Sequence, residues 1–500
     1  MLIRLFAAAL LVAALHVPAR AQDLTGKIEG TLTASNGPPP AGLQVRAVSS
    51  DVTVTTDPGA DGSFMFTDLP LANYRVQLVD SAGRILASAT ARLTPGMPNQ
   101  TVALRLRAGV TEFGGSFAEP ASLYFGPVGV TPSVALVNGG VDTNVFHEAS
   151  GAKSDTAFAL GPEALVTLDA GDVRGAGTAR WHYLYFDKYS DERSLDVNAD
   201  GGLEVAAGRF TPWVRGLVDG GRRRINHEID LRAHQLTSGV QAGVDARVAQ
   251  RTIASVAFGR NDHGFDPDQV FLGANLQELL NRRALSTTIE GRQTLTTALS
   301  AVGQVNVATE RFRFAPQRDA NILRLQAGIM NNAGDRASGS IRLGYIRLNA
   351  VGAAIADYRG FVASLEQDLR LGSRTRVLLT GIRDIDFSFD TRFPDYVRTA
   401  AVADLRAQLT DVWDVDLRVE GERMLHEAAP GVAAASYADN YGFFGAGLGV
   451  RIVRGLRFGI EGGREERDSP VPGRGFIGYR GGAALTIGVR PGRVCGCGVE

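Results

Sequence analysis

From residue 128 to residue 491 the chain is a succession of runs in which apolar and polar side chains alternate one for one. Asp414–Glu422, DVDLRVEGE, shows the unit most clearly. Val415, Leu417, Val419 and Gly421 fall on one face, and Asp414, Asp416, Arg418, Glu420 and Glu422 on the other. Successive side chains of a strand point to opposite faces, so the run predicts a β-strand with one apolar and one charged surface. Val240–Val248, Leu323–Ile329 and Ala401–Leu409 repeat the pattern.

The breaks between runs are as regular as the runs. Short turns are predicted near Gly171, Gly208, Gln250, Leu295, Ala333, Ser373, Asp411 and Arg454. Longer polar loops centre on Gly151, Ser190, Arg224, Asp268, Pro316, Ala353, Asp390, Pro430 and Pro472. Short and long connections alternate, which gives eighteen strands. Transmembrane β-barrels have this asymmetry, with an even strand number. A propeller would place four short strands in each repeat of about 40 residues; here each repeat holds two strands, both long enough to cross an apolar band of ~25 Å when tilted. The expected apolar face is therefore lipid-facing and the charged face lumenal. Trp413 and Trp213, each beside a short turn, and Trp181, Tyr183 and Tyr185, approaching a long loop, occupy places suited to an interfacial girdle.

Composition agrees with an all-β chain. Sixty glycines against 20 prolines in 500 residues suit many turns, and 44% of residues are hydrophobic. With 52 basic and 53 acidic residues the net charge is −1, which offers no basic surface for nucleic acid. The only two cysteines, Cys495 and Cys497, exclude a disulfide-stapled fold. Residues 1–21 read as a secretory signal peptide: Arg4, an apolar core Leu5–Leu15, and Ala19-Arg20-Ala21 before Gln22. After it no run of ~18 apolar residues occurs that would form a spanning helix.

Residues 26–108 predict a small β-sandwich, with short strands at Gln44–Ala47, Ser63–Phe66, Tyr74–Val79 and Thr101–Leu106 between turn clusters such as Asp57-Pro58-Gly59. Gly62-Ser63-Phe64 and Leu69-Pro70 followed by Tyr74 resemble the carboxypeptidase regulatory-like (transthyretin-like) domain, although Ala72 replaces the glycine usual two positions before the tyrosine. The resemblance implies a periplasmic binding or spacing module without a catalytic centre. Residues 109–127 read as a linker and 492–500 as a C-terminal tail.

Pro132–Phe146, with its Asp-x-Asn-Val-Phe tip, and Glu278–Arg283, ELLNRR, together with the strand count, resemble the outer-membrane β-barrel porin families of Gram-negative bacteria. The chain departs from the common barrel ending, a strand with a terminal aromatic residue, by adding Gly492–Glu500. A regulatory-like domain before a barrel also resembles the TonB-dependent receptors, but the stretch from Ala108 to Val128 leaves no room for their plug. The porin resemblance implies an outer-membrane channel, in contact with lipid and passing small hydrophilic solutes. The alternative is a barrel-anchored binding or assembly protein whose N-terminal domain captures a periplasmic protein or a polysaccharide.

The candidate pore-lining residues are those with the inward phase: Arg180, Glu204, Asp245, Arg247, Glu290, Arg292, Arg324, Arg342, Glu366, Asp368, Arg370, Arg406, Asp416, Arg418, Glu420, Glu422, Arg457 and Glu461. Charged rings of this kind set pore selectivity. Their balance of signs predicts weak ion preference or a lumen bridged by its own salt bridges. Val270–Leu280 has helical spacing and is left open between an inward constriction and an outer cap. No catalytic, cofactor or metal site is expected. The histidines lack ligand spacing, His182 shares the inward phase of Arg180, and Gly445-x-Gly447-x-Gly449 runs along a strand rather than forming a phosphate loop.

Overall fold

The structure, a computed structural model, describes residues 25–34, 43–49, 51–59, 61–79, 85–94, 97–106 and 123–488, apart from 297, 333–336, 373, 430 and 454. The expected signal peptide, most of the expected linker, and the tail with both cysteines lie outside the described residues. So do Val489, Arg490 and the turn positions Ala333, Ser373 and Arg454. The chain divides into two compact units, one within residues 1–108 and the other taking in residues 109–500.

In the first unit, Thr25–Ala34 lies between Ser63–Pro70 and Asn99–Leu106 in a three-stranded sheet. A four-stranded sheet runs in the order Thr53–Thr56, Gln44–Val48, Asn73–Val79, Ile85–Arg92. The alternating residues of both sheets bury into one core that holds Ile28, Val45, Phe64, Phe66, Tyr74, Val76, Leu78 and Leu104. The Tyr74 hydroxyl donates to the Pro70 carbonyl at 2.8 Å, which gives the Leu69-Pro70…Tyr74 spacing its structural meaning.

The second unit is a closed antiparallel barrel of eighteen long strands. In order they are Val128–Asp142, Asp155–Ala170, Val173–Phe186, Ser194–Val205, Phe210–Arg223, Ala233–Ala249, Thr252–Phe265, Arg282–Thr294, Leu299–Phe312, Ala320–Asn332, Ala337–Ala350, Tyr358–Leu371, Thr375–Phe387, Asp395–Gln408, Trp413–His426, Tyr437–Val453, Leu456–Asp468 and Phe476–Gly488. Each pairs with its neighbours in sequence, and the eighteenth closes onto the first. The strand number is that read from the sequence, and among the described residues short and long connections alternate as expected. The sheet starts earlier than the expected boundary at 128, because Leu123–Phe125 folds back on Val128–Val130. Four short turns carry glycine at positive φ, Gly171 at 72°, Gly208 at 65°, Gly372 at 74° and Gly455 at 78°, a conformation that side chains with a Cβ disfavour.

The alternation sorts the faces as predicted. In the fifteenth strand Val419 is 51% exposed on the outside, whereas Asp416 and Glu422 are each 4% exposed within. Val240, Val244, Val248, Ile289, Leu343, Ile460 and Ile487 join the same exposed outer apolar surface. Because β side chains have a period of two, one residue of slippage would exchange the two faces over a whole strand.

Candidate pore lining and its occluding loops

The inward face of the fifteenth strand is built into a ladder of ion pairs with its neighbours. Arg457 lies across to Asp416 at 2.6 Å and also bonds Asp414, while Arg406 reaches Asp416 at 3.4 Å. Arg418 meets Asp404 at 3.3 Å and Glu420 at 2.8 Å, and Arg398 meets Glu422 at 2.8 Å. Gly449 explains part of the glycine series on the next strand: a Cβ there would run into the Arg457 guanidinium.

The remaining candidates are distributed round the same wall. Arg180 donates to the Asn198 side chain at 3.1 Å, and Glu204 is buried beside the register partner Arg174. Glu290 pairs with Arg342 at 3.1 Å, Arg342 also donates to Gln304 at 3.1 Å, and Arg324 pairs with Asp384 at 3.0 Å. Asp368 pairs with Arg376 at 2.8 Å; Arg370 faces Arg376 in register. Glu461 accepts from the Asn138 amide at 3.0 Å. Arg292 directs a guanidinium nitrogen toward the Met330 sulfur at 3.7 Å. Glu366 is exposed and has no ion pair among the described residues. Asp245 and Arg247 line a solvent-open cavity at the short-turn half, together with Glu204, Trp213, Glu290, Arg292 and Arg342.

Trp213 does not belong to a lipid-facing girdle. Its indole N–H donates to Asp245 at 3.0 Å and Arg215 lies over its ring, so it faces this cavity. Its neighbours Val214 and Phe210 take the outer face. Trp181, Tyr183 and Trp413 are exposed on the outside. His182 is buried on the inner side, 3.0 Å from Glu163.

The long-loop half is filled. Inward side chains there are buried on strand after strand, among them Leu184, Phe312, Ile346, Val362, Tyr396, Met424, Tyr441 and Glu465. What fills it is loop sequence. Residues 224–232, following the fifth strand, cross to the far wall. His227 lies 3.0 Å from Glu420 and stacks on Tyr441 with ring centroids 3.5 Å apart. Asn226 reaches the Tyr396 hydroxyl at 3.3 Å, and Arg224 donates to the Val145 carbonyl at 2.5 Å. Glu228, fully buried, accepts from the Ser388 hydroxyl, and its own carbonyl accepts from Arg474. Asp230 pairs with Arg467 at 2.8 Å.

The second filling element is the segment that the sequence left open. Leu276–Leu280 forms one helical turn, capped by the Asn275 side chain accepting from the Glu278 amide. Leu276 and Leu280 bury into an apolar cluster with Ile229 of the crossing loop and Ile322, Ile346 and Leu348 of the wall. It therefore packs inward. Arg318 clamps it from a neighbouring loop, donating to the carbonyls of Leu279 at 3.0 Å, Ser388 at 2.5 Å and Pro394 at 2.7 Å.

Burial sets the ionisation of the loop groups. It pushes the Glu228 carboxyl up to about 8, against the Ser388 hydrogen bond and the nearby guanidinium of Arg474. Burial also lowers Arg318 to about 10. At Asp230 burial acts in the raising direction, but His147 and Arg467 outweigh it and hold the carboxyl below its usual range.

Several ion pairs join two residues of the candidate set, among them Glu290–Arg342, Arg418–Glu420 and Arg457–Asp416. Arg376, Asp384, Arg398, Asp404 and Asp414 share the inward phase of their strands, and strand pairing shows which charge each one meets. The loop residues His227, Glu228 and Asp230 carried no periodic signal at all.

No family model matches the sequence, and no curated protein matches it. Solved structures similar to the chain include OccK2 (OpdF) of Pseudomonas aeruginosa, at 11% identity and a TM-score of 0.38 over 72% of this chain and 98% of that one. OccAB2 of Acinetobacter baumannii is similar at 9% identity and a TM-score of 0.39, over 73% and 98%. A BenF-like porin of Pseudomonas fluorescens Pf-5 is similar at 8% identity and a TM-score of 0.37, over 72% and 99%.

Proposed function

We propose that the chain is an outer-membrane β-barrel of a Gram-negative bacterium that acts as a porin-like passive channel for small hydrophilic solutes. The observation that carries this reading is the closed eighteen-strand barrel with an apolar outside and an inner wall of ion pairs around open cavities. Barrels of 16–18 strands enclose an aqueous lumen. A lipid-exposed wall must also leave no sheet edge, and closure of the first strand on the last meets that requirement. The candidate lining residues, from Arg180 to Glu461, are the groups a passing solute would meet. Residues 224–232 and the Leu276–Leu280 turn narrow its path at the long-loop end, which the general asymmetry of such barrels assigns to the outside. Planar-bilayer recording of the refolded chain tests this: stepwise conductance supports a channel, and none at high protein load refutes it.

Loops filling the mouth favour a second reading, in which the barrel is a membrane mount. The N-terminal unit, with two sheets on one core, supports its reading as a β-sandwich of the carboxypeptidase regulatory-like kind. On the second reading it would lie in the periplasm and capture a protein or polysaccharide. Deletion of residues 26–108 distinguishes the two, because a channel keeps its conductance and an anchor loses its partner in pull-down.

A further inference from the structure

His227, Glu420 and Glu422 bring three ligand-type atoms within 4.8 Å of one another. His227 comes from the crossing loop. The two glutamates are two residues apart on the fifteenth strand, so both project to the inner side. How their carboxylates are already held decides what is left over. Arg398 donates through both Nε and Nη2 to a single oxygen of Glu422, Oε2, at 2.9 and 2.8 Å. Arg418 donates to Oε2 of Glu420 at 2.8 Å. The other oxygen of Glu420, Oε1, faces His227 Nε2 at 3.0 Å. The other oxygen of Glu422 is buried without a hydrogen-bond partner, on a side chain with no exposed surface. A buried carboxylate oxygen lacking a donor calls for a missing positive or hydrogen-bonding group.

We propose that these three side chains form a binding site for a divalent transition ion of the Zn²⁺ type. The ligands are His227 Nε2, Glu420 Oε1 and Glu422 Oε1. One imidazole with two carboxylates suits Zn²⁺, Co²⁺ or Ni²⁺ better than the all-oxygen sets of Ca²⁺ and Mg²⁺. Ligand atoms ~2.0–2.1 Å from a tetrahedral ion lie about 3.3 Å apart, close to the His227–Glu420 separation. Arg398 and Arg418 take the role of outer partners that orient ligating carboxylates, leaving one oxygen of each turned to the ion. Stacking on Tyr441 at 3.5 Å fixes the plane of the imidazole. A solvent-open cavity reaches Glu420 and Tyr441 and gives room for water at the remaining position. The two guanidiniums offset the two carboxylates, and the nearby Asp386, 3.5 Å from the Tyr396 hydroxyl, is itself paired with Arg282 at 3.5 Å. A bound ion would tie the crossing loop to the opposite wall. The site stands whether or not the barrel conducts.

The test uses the untagged full chain in detergent micelles. Equilibrium dialysis against Zn²⁺ is expected to give one ion per chain, and Co²⁺ to give a visible absorption band that Zn²⁺ abolishes. His227→Ala, on a loop, and Glu422→Gln, which keeps the side-chain shape, should each weaken binding by about tenfold or more. His234→Ala should leave it unchanged. Absence of stoichiometric binding, or binding that survives both ligand variants, overturns the proposal. Should one variant fail to fold, Glu420→Gln replaces it under the same criterion.

Discussion

His227 and Glu420 lie 3.0 Å apart although the loop of the one and the strand of the other spring from opposite sides of the barrel. The loop carrying His227 follows the fifth strand, and Glu420 stands on the fifteenth of eighteen, about half-way round. Contact between them means that residues 224–232 cross the full width of the lumen. Its other anchors, Glu228 on Ser388 and Asp230 on Arg467, reach the same far side.

Shortening this loop should open the barrel without unfolding it. The fifth and sixth strands pair along their whole length, from Phe210 with Ala246 to Arg223 with Ala233, so a tight turn can replace the crossing segment. Replacing residues 225–231 by a short glycine-rich turn is expected to raise single-channel conductance several-fold, with heat-modifiable gel mobility unchanged. Equal conductance would show that this loop does not limit the path.

Loop docking should weaken as pH rises. Burial raises Glu228 from its usual 4.5 to about 8. Between these values the docked loop holds a proton that the undocked loop has released. Docking is therefore favoured at the acid end, declines as pH climbs toward about 8, and then levels off. Conductance of the wild type is expected to increase between pH 5 and pH 9, and Glu228→Gln should flatten that increase. A variant with the same pH profile as wild type would remove Glu228 from this role.

Leu417 occupies the outer face of the fifteenth strand, between Asp416 and Arg418 of the inner ladder. Leu417→Arg places a charge against lipid near the middle of the strand and should cost ~2–4 kcal/mol of insertion. Glu420→Gln, facing inward, should leave insertion intact and alter ion preference. Urea titration of folding into lipid vesicles and reversal potentials in a salt gradient read the two effects separately. If neither changed, the assigned register would be wrong.

The three tryptophans should divide by face. Trp181 and Trp413, exposed outside, are expected to be quenched by brominated acyl chains in single-tryptophan variants. Trp213, bonded to Asp245, should resist that quencher and respond to one dissolved in the lumen. Lipid quenching of Trp213 would place it back on the outer surface.

The local pattern by itself determined a great deal here. A period of two, repeated between alternating short and long connections, is enough to specify strand number, order and the face of each side chain. Each of those quantities is local, and this barrel pairs neighbours in sequence. Asp414–Glu422 could thus be assigned its charged and apolar faces before any contact was known. The reading that failed was Trp213, where a place beside a turn suggested an interface although the strand's phase turns the indole inward.

What only the tertiary structure decided is the content of the lumen. A loop has no side-chain period, so nothing in residues 224–232 announces that they fold inward. His227 and Glu420 are separated by 193 positions, and their meeting depends on barrel closure and diameter. The same holds for Leu276 and Leu280, whose apolar spacing fits a cap or a plug equally well until Ile229 and Ile346 are brought against them. Strand faces follow from backbone geometry within a few residues; the filling of the barrel follows from which distant surfaces that geometry places opposite one another.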